Sequence, residues 1–594
     1  MRLALLDWLV IGGFFALYLV LGVLLARTAG RSFRSFFLGD QRMPWWLLGF
    51  SMVATTFATD TPNLVTNIVR TSGVLGNWAW WAFLPSGMIT VMFFARLWRR
   101  SGVLTDIEFN ELRYSGKEAA VLRGFRAVYL GVFFNTIIMA NVTLAAIKIG
   151  AVMFGLTPLQ SILVAGVITV AYASAGGLLG VLMTDLVQFV VALVGAVAAA
   201  VFLVNLPAVG GWSNLVARPE VARLLPVFPS PGETPWELAL TAFLIPLAVQ
   251  WWASYYPGAE PGGGGYVVQR VLAARDERHA AGAALLFNLM HYAIRPWPWI
   301  IVALASVAVF PTLDALREQF PGVDPAIIGH DLAYPAMLTF LPAGLMGLVV
   351  ASLIAAYMST MSTQLNWGSS IIVNDLYRRF LNPAAGEREL VRAGRVATFA
   401  AMVLACAVAL TLESALQAFQ LLLQIGAGTG LIYLLRWYWW RINATAEIVA
   451  MVVSFLVAVG FHFAGGFGLP AALQLLTGVA ITTAAWLTAA LVTRPTGEAT
   501  LRAFYRRLQP GGPGWRAVVA RARAEGETLE DGARRGDFTV ALGGVFAGLA
   551  GVYGVLFGIG ATLYGQAGAA AGWFVLAAAG WAAVAVLWRR LRFQ

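Results

Sequence analysis

Long apolar runs are the feature that most constrains how this chain of 594 residues can fold. A helix needs about 20 apolar residues to cross the hydrocarbon core of a bilayer, and the sequence holds fifteen such runs. Only 12% of the residues are charged, about half the share found in soluble globular chains. This excludes a soluble enzyme, a disordered protein and a nucleic-acid-binding domain, and it predicts an all-α polytopic membrane protein. The expected spans cover 6–26, 45–69, 77–97, 127–154, 158–175, 179–204, 236–256, 280–310, 341–373, 395–412, 415–438, 444–465, 469–493, 538–562 and 567–588.

Basic residues between the runs predict the orientation of the spans. If the N-terminus lies outside the cell, 33 of the 40 lysines and arginines, Arg270 among them, fall in cytoplasmic segments, as the positive-inside rule requires. We therefore expect an integral protein of the cell membrane with an external N-terminus and a cytoplasmic C-terminus. Asp7 and Glu447 lie near span ends, where we expect interfacial positions. The longest loop, 494–537, has the composition of a solvated cytoplasmic linker with a surface helix.

The sequence offers little for a metal or redox centre. Cys406 is the single cysteine and there are only four histidines, so neither an intramolecular disulfide nor a Cys/His cluster can form. We expect no bound cofactor.

Two of the predicted spans contain residues that interrupt helices. The second span packs threonines, Asp60 and Pro62 into 50–69, and the seventh runs into two prolines and four successive glycines within 250–270. Non-helical backbone at membrane depth occurs where it lines a cavity. The interruptions open two sets of five spans with opposite topology, which is typical of inverted-repeat secondary transporters with the substrate site between the repeats.

The expected organisation follows from these two repeats. The segments are an extra N-terminal helix with a cytoplasmic loop (1–44), the first repeat (45–210), the second repeat (211–441), two additional helices (442–493), the cytoplasmic linker (494–537) and two C-terminal helices (538–594).

Ionisable residues inside membrane spans are costly and count as functional candidates. Asp60, Lys148, Asp185, Glu260 and Arg295 qualify. Arg295 lies too deep in its span to reach the interface, so it needs a carboxylate partner or an anionic substrate group. We predict that its guanidinium lies within about 4 Å of a carboxylate, with Asp60 or Glu260 as the candidates.

Four hydroxyl residues share one face of the ninth predicted span. They form two pairs three residues apart, which stack on one side of a helix; they are Ser359, Thr360, Ser362 and Thr363. Hydroxyl oxygens and free carbonyls are hard ligands that suit an alkali cation, and Asp185 would add a carboxylate.

Four motifs carry a family resemblance. They are FFLGDQRMPWWLLGFSMVAT (36–55), YASAGGLLGVLMTDLVQ (172–188), GYVVQRVLAARDERHA (265–280) and AAYMSTMSTQLNWGSSIIVNDLY (355–377). With these motifs the chain resembles the sodium/solute symporter family over roughly 5–465. The resemblance implies a LeuT-type core of ten helices in a 5+5 inverted repeat, flanked here by one N-terminal and four C-terminal spans.

The resemblance also implies cation ligands. The first sodium site would take the carbonyls of Ala54, Phe57 and Ala356 and the hydroxyls of Ser359 and Thr360. A second site, which only some members have, would take Asp185, Thr360, Ser362 and Thr363.

The substrate pocket departs from the family pattern. Polar positions of the sugar carriers align with Thr56, Thr59, Asp60, Thr61 and Gln420, whereas EPGGGG stands where those carriers have aromatic and amide residues. We assign Thr56, Thr59, Asp60, Tyr255, Glu260, Arg295 and Gln420 to substrate binding. The departures indicate a divergent branch whose substrate does not transfer from its relatives.

The implied function is a sodium-coupled symporter, not an enzyme, that imports a small polar organic solute by alternating access. Neutral hydrogen-bonding residues around Asp60 favour a neutral or zwitterionic solute. Two alternatives are a symporter-like membrane sensor, which needs an output domain after residue 494, and a membrane-embedded enzyme, which needs catalytic carboxylates or histidines clustered at a membrane face. The sequence offers neither feature.

Overall fold

A computed structural model describes residues 3–29, 37–252, 265–412, 415–529 and 537–593 of the protein. The described residues are helical apart from loops and one isolated parallel bridge between Met43 and Ala274. Counted with their π-helical and 3-10 stretches, the helices are α1 (Leu5–Ala29), α2 (Trp45–Thr56), α3 (Asp60–Ser72), α4 (Val74–Ser101), α5 (Phe109–Arg113), α6 (Gly116–Phe154), α7 (Pro158–Val204), α8 (Trp212–Ala217), α9 (Pro219–Ala222), α10 (Trp236–Gln250), α11 (Gly265–Ala273), α12 (Glu277–Val309), α13 (Leu313–Gln319), α14 (Ala333–Leu338), α15 (Leu345–Leu381), α16 (Glu387–Ala409), α17 (Ala415–Tyr438), α18 (Ala444–Phe463), α19 (Ala471–Val492), α20 (Glu498–Leu508), α21 (Arg516–Ala524), α22 (Asp537–Leu563) and α23 (Ala567–Arg590).

The prediction of an all-helical polytopic membrane protein is confirmed. Within the described ranges, ten helices are long and apolar enough to cross a membrane. Shorter apolar stretches occur in α1, α7 and α10. The count of fifteen spans and the 5+5 repeat are finer statements than these ten helices establish, and they stay predictions.

The boundary expected between the fifth and sixth spans, at 175–179, falls within helical backbone that extends from Pro158 to Val204. The segment between the two runs contains glycines but no proline, and a glycine in a helix costs only about 1 kcal/mol relative to alanine. The residues at this boundary are therefore compatible with helical backbone.

The two ends of α7 pack on their neighbours in opposite directions. α15 and α16 are antiparallel, because Val373 lies against Gly394 while Met358 shares a cluster with Met402. Along α7, contacts run from Ala409 at Ile162 to Met402 and Cys406 at Gly166. They run back along α15 from Ser359 at Asp185 through Ala355 at Gln188 to Val349 at Gly195. These contacts are those of two antiparallel spans.

The interruption predicted in the second span is present. α2 ends at Thr56, and Phe57 has φ −81° and ψ 73°, outside the helical region. The helix resumes as α3 at Asp60. The chain thus crosses this part of the core as two half-helices joined by three non-helical residues.

Asp7, near the start of the first predicted span, caps a core helix. It is buried, and its Oδ1 accepts hydrogen bonds from the backbone N–H groups of Gly344 and Gly347 at 2.7 and 2.8 Å. These are orphan donors at the start of α15. A carboxylate there also opposes the positive end of the helix dipole, so the extra N-terminal helix fixes the position of α15.

Glu447, near the start of α18, is also buried. Its carboxylate pairs with Arg126 at 3.2 Å and with Arg436 at 3.5 Å, and it accepts a hydrogen bond from Tyr114. The acid therefore joins α18 to α6 and α17.

The 494–537 segment is more than a solvated linker. Its helices α20 and α21 bury Phe504 and Trp515, which stack with ring centroids 5.5 Å apart. Trp515 donates through Nε1 to the carbonyl of Trp437 at 2.8 Å. The carbonyl of Leu508 accepts from Arg100 Nη1 at 2.7 Å. The segment is folded onto the ends of α4 and α17.

The C-terminal helices α22 and α23 form a close hairpin through glycines. A Cβ at Gly580 would lie 2.5 Å from Gly551 N and 2.7 Å from Ala547 O, so only glycine permits this approach. Such small residues let helix backbones approach in a bilayer. α22 in turn covers α4, where Met88 and Met92 lie against its glycines Gly548 and Gly544.

We predict that Gly580→Leu lowers the stability of the purified protein by about 1–3 kcal/mol, because the side chain forces the two backbones apart. Thermal unfolding in detergent measures this loss. Gly572→Leu is the matched control on α23, since nothing lies within 4 Å of a Cβ there. Equal losses in both variants would contradict close packing at Gly580.

Candidate functional site

The break between α2 and α3 faces the hydroxyl side of α15. Thr360 Oγ1 donates to the carbonyl of Thr55 at 2.8 Å, and Thr59 Oγ1 donates to the carbonyl of Leu353 at 3.0 Å. These bonds satisfy carbonyls that sit within a membrane-spanning region, where a free carbonyl is costly. They also place the break directly against α15.

The five candidate ligands of the first sodium site lie on these two surfaces. All are buried; they are Ala54, Phe57, Ala356, Ser359 and Thr360. In the described part of the chain, the carbonyls of Ala54 and Phe57 accept none of the backbone hydrogen bonds formed outside helices. The hydrogen bond from Thr360 to the carbonyl of Thr55 places the end of α2 beside the hydroxyls of α15.

Asp185 lies under the hydroxyl face and binds two serines. Ser359 Oγ donates to its Oδ1 and Ser51 Oγ donates to its Oδ2, both at 2.5 Å. A hydroxyl that donates its proton keeps its lone pairs. Ser359 can thus bond Asp185 and still offer its oxygen to a cation on the opposite side.

The guanidinium of Arg270 lies beside two of the candidate ligands of the second sodium site. Its side chain is fully buried, with Nη2 3.8 Å from Asp185 Oδ2. The guanidinium donates to Thr363 Oγ1 at 2.8 Å and to Ser51 Oγ at 3.2 Å. Its third bond goes to Gln269 Oε1 at 2.9 Å. Of the four candidate ligands, Asp185 and Thr363 meet the guanidinium.

The other two candidates of that site have separate partners. Ser362 Oγ donates to the carbonyl of Ser359 in its own helix at 3.0 Å, as hydroxyls within membrane helices commonly do. Thr360 is bonded to Thr55, as described above. Three of the four candidates lie on α15 and the fourth, Asp185, lies on α7. The guanidinium of Arg270 contacts two of the four.

Arg270, counted in a cytoplasmic segment from the sequence, has a fully buried side chain. It lies in α11, and the apolar run around it (YVVQRVLA) is the sequence signal for burial. The positive-inside count treats every arginine near a span end as solvated, which is why the guanidinium was not expected among the candidate ligands.

The candidate substrate residues of α2 and α3 face two neighbours. Thr56 Oγ1 donates to Met52 O at 2.6 Å and lies 2.7 Å from the hydroxyl of Tyr266. Asp60 Oδ2 accepts from Asn141 Nδ2 at 3.0 Å. Tyr266 and Asn141 were not among the sequence candidates, because nothing local to their segments marks them.

Arg295 lies over the break itself. Its Nη1 donates to the carbonyl of Val53 at 3.2 Å, and its guanidinium lies 5.2 Å from the ring centre of Trp299. That ring stacks on Phe57 at 5.1 Å. Arg295 therefore supports the last turn of α2 and packs beside a stacked aromatic pair.

The carboxylate expected beside Arg295 is not Asp60. Among the described residues, no ion pair within 4 Å joins these two side chains, and Asp60 instead bonds Asn141. Glu260 and Tyr255 lie outside the described residues. The side chain of Gln420 in α17 is exposed, and it has no described contact with α2 or α3.

Several polar atoms around Asp60 are buried without a hydrogen-bond partner in the described part of the protein. They are Asp60 Oδ1, both amide atoms of Asn63 and Trp299 Nε1. Unsatisfied buried polar groups are rare in native structures and indicate a missing ligand or water. This cluster offers acceptors and donors on the α3 side of the break.

Lys148, the remaining intramembrane cation, has a structural partner. Its Nζ lies 2.7 Å from Asp331 Oδ2, and both side chains are buried. The pair joins α6 to the segment before α14.

A further group of charged contacts joins the ends of several helices. Arg123 bonds both Asp375 and Glu111 at 2.6 Å. Asp106 accepts from the backbone N–H of Gly265 at 2.9 Å and from Trp367 Nε1 at 3.3 Å. These contacts tie the α4–α5 loop and α6 to the ends of α11 and α15.

We predict that Arg270→Met lowers the stability of the protein by about 3–5 kcal/mol, because it leaves the buried Asp185 carboxylate without its cation. The double variant Arg270→Met, Asp185→Asn should recover most of this loss, since it removes both charges. Thermal unfolding of the two single variants and the double variant in sodium-free buffer measures the coupling. Losses that simply add would show that the two groups do not compensate each other.

A family model and two kinds of relatives match the chain. The model of the sodium:solute symporter family matches residues 36–454. A sodium/glucose cotransporter of Vibrio parahaemolyticus is 25% identical over 479 residues, which cover 78% of this chain and 86% of the relative. Sodium/glucose cotransporter 1 of Oryctolagus cuniculus is 25% identical, with 73% and 68% covered.

A solved structure shares the fold. It is a Na+-coupled sialic acid symporter in a substrate-bound outward-open state, and it covers 83% of this chain and 99% of its own with a TM-score of 0.66. The sequence identity is 20%, so this likeness concerns the fold.

Proposed function

The chain belongs to the sodium:solute symporter family, and from this premise we propose that it imports a small polar organic solute by alternating access. Members of this family are secondary active transporters, not enzymes, and Na+ is the coupling ion. The family and the apolar helices make the protein an integral protein of the plasma membrane. Neither the sensor nor the enzyme alternative is favoured by any relative reported above.

The observation that supports the mechanism most is the juxtaposition of the α2–α3 break with α15. Sodium would take the carbonyls of Ala54, Phe57 and Ala356 and the hydroxyls of Ser359 and Thr360. Both hydroxyls already direct their protons away, to Asp185 and to Thr55 O. Their oxygens can therefore act as cation ligands without a change in protonation.

Coupling follows from the location of these ligands on two separate helices. An ion that binds both surfaces stabilises only the conformations in which the surfaces meet. A ligand shifts a conformational equilibrium by its difference in affinity for the two states. Sodium would thus favour the closed α2–α15 contact and with it one side of the transport cycle.

The position of Arg270 argues against a second sodium ion. The guanidinium already supplies a positive charge beside Asp185 and a donor to Thr363. A sodium ion at the same place would meet like charge and lose one hydroxyl ligand. We therefore propose one sodium ion per cycle.

The substrate would lie on the α3 side of the break. Asp60 Oδ1 and the Asn63 amide offer hydrogen bonds there, and the stacked pair of Phe57 and Trp299 offers an apolar wall. Within this proposal Thr56, Thr59, Asp60, Tyr255, Glu260, Arg295 and Gln420 remain the substrate-binding candidates. A solute with hydroxyl or amine groups, neutral or zwitterionic, fits the described part of this set best.

The orientation and the two repeats complete the proposal. We place the N-terminus outside and the C-terminus in the cytoplasm, because this puts most basic residues on the cytoplasmic side. The opposite packing directions of the two ends of α7 support two crossings there, as an inverted 5+5 repeat needs. The repeats would cover 45–210 and 211–441.

Removing both hydroxyls should weaken sodium binding. We expect Ser359→Ala, Thr360→Ala to raise the half-saturating sodium concentration at least tenfold, on the order of 1.4 kcal/mol. The measurement is the sodium-dependent rise in unfolding temperature of the purified protein, which needs no known substrate.

The matched control is Ser369→Ala, Ser370→Ala on the same helix. Those hydroxyls bond only the carbonyls of Asn366 and Trp367 in their own helix. Unchanged sodium dependence in the Ser359/Thr360 variant would place the ion elsewhere. A thermal-shift screen of a solute library with and without sodium then identifies the substrate.

We also predict that each protein chain binds one sodium ion. Equilibrium binding of radioactive sodium to the purified protein should reach about one ion per chain, and uptake should rise with sodium with a Hill coefficient of about one. Potassium serves as the control ion. Two ions per chain would show that Arg270 leaves the hydroxyl face when sodium binds.

A further inference from the structure

A cavity opens between the core and the C-terminal hairpin, away from the sodium and substrate candidates. Its volume is about 490 Å³. Its walls come from the start of α2, one face of α12 and the last part of α23; the lining residues include Trp45, Arg278, Leu285, Leu289, Trp581 and Trp588. We call it the α12–α23 groove.

The groove is apolar along its length and basic at one end. Leu285, Leu286 and Leu289 follow one side of α12, and two tryptophans of α23 stand opposite. Arg278 marks the basic end, where its exposed guanidinium lies 5.6 Å from the ring centre of Phe593. The groove therefore has the form of a slot for a chain with a polar head.

The basic end keeps its positive charge because the nearby acids have other partners. Glu277 pairs with Arg100 at 2.8 Å. Asp276 caps the backbone N–H of His279 at 2.8 Å and lies 3.7 Å from Arg275. Within the described ranges, Arg278 has no ion pair within 4 Å.

Three further arginines stand at the same end. Arg589, Arg590 and Arg592 follow Trp588, which lines the groove, and precede Phe593, which contacts Arg278. Their side-chain cations have no described acidic partner. The end of α23 and the start of α12 together present a concentrated positive charge beside an apolar slot.

We propose that the α12–α23 groove binds an anionic phospholipid of the cytoplasmic leaflet. An acyl chain would lie along the leucines of α12, and the phosphate would meet Arg278 and the arginines that follow α23. Basic pockets between membrane helices on the cytoplasmic side bind anionic headgroups, and tryptophans are enriched at that depth. The assignment to this leaflet rests on the proposed orientation.

The lipid would contact α2, which carries a candidate sodium ligand, and α12, which packs against α2. Trp45 begins α2, whose other end holds Ala54. α2 and α12 pack closely, since a Cβ at Gly49 would lie 2.8 Å from Leu286 Cδ2 and 3.0 Å from Ala283 O. A lipid bound against this pair would be retained with the core when detergent removes the bulk bilayer.

Native mass spectrometry of the full-length purified protein tests the proposal. The protein is released from nanodiscs that contain equal amounts of phosphatidylglycerol and phosphatidylcholine. We expect one retained phosphatidylglycerol per chain, in clear excess over phosphatidylcholine. Arg278→Gln should reduce that retention about fivefold, and the additional changes Arg589→Gln and Arg590→Gln should reduce it further, since each basic residue contributes separately to anionic-lipid attraction.

Two variants keep the result interpretable. Arg278→Lys keeps the charge and should retain the lipid. Arg388→Gln removes an exposed arginine at the start of α16 and should leave retention unchanged. The sodium-dependent thermal shift of each variant checks that it is folded.

Three results would overturn the proposal. One is equal retention of the two lipids by the unaltered protein. Another is a loss of phosphatidylglycerol in Arg388→Gln as large as in Arg278→Gln. The third is a dimer that Arg278→Gln dissociates, which would make a second copy of the chain the occupant of the groove.

Discussion

A backbone carbonyl inside a bilayer must find a partner within the protein, and the arrangement around residues 57–59 depends on this constraint. The break between α2 and α3 removes helical hydrogen bonds at membrane depth. Thr360 supplies a replacement at Thr55 O, and Arg295 adds a second donor to Val53 O, which also accepts from the N–H of Phe57. The two side chains come from different helices, so the break holds α15 and α12 against it. What looks like a local defect in α2 therefore determines how three elements of the core meet.

The same region shows how the protein handles charge without water. Asp185 lies at the hydroxyl face of α15, and a buried carboxylate needs both a cation and hydrogen bonds. Ser51 and Ser359 supply the bonds, and Arg270 supplies a permanent charge at 3.8 Å. A guanidinium keeps its proton under all ordinary conditions, whereas a bound ion comes and goes. In the proposed cycle, the carboxylate of Asp185 would stay neutralised while only the ion at the break exchanges.

The sequence predicted the features that depend on neighbouring residues in the chain. The threonines with Asp60 and Pro62 gave the break, and the spacing of Ser359, Thr360, Ser362 and Thr363 gave the hydroxyl face. It could not place groups whose burial is decided by another segment. Arg270 lies near a span end, where solvation is the ordinary outcome, and Asp7 became a cap only because α15 begins beside it.

The helices outside the core pack on different sides of the candidate sodium site. α1 is bound to the start of α15 through Asp7. The C-terminal hairpin instead packs on α4, and its groove reaches the α2–α12 pair. The candidate sodium ligands come from α2 on one side and from α15 on the other. In the proposed cycle, a movement that separates the two surfaces would break the coordination shell of the ion. The peripheral helices would then hold each surface in place while ion binding is coupled to a change of access.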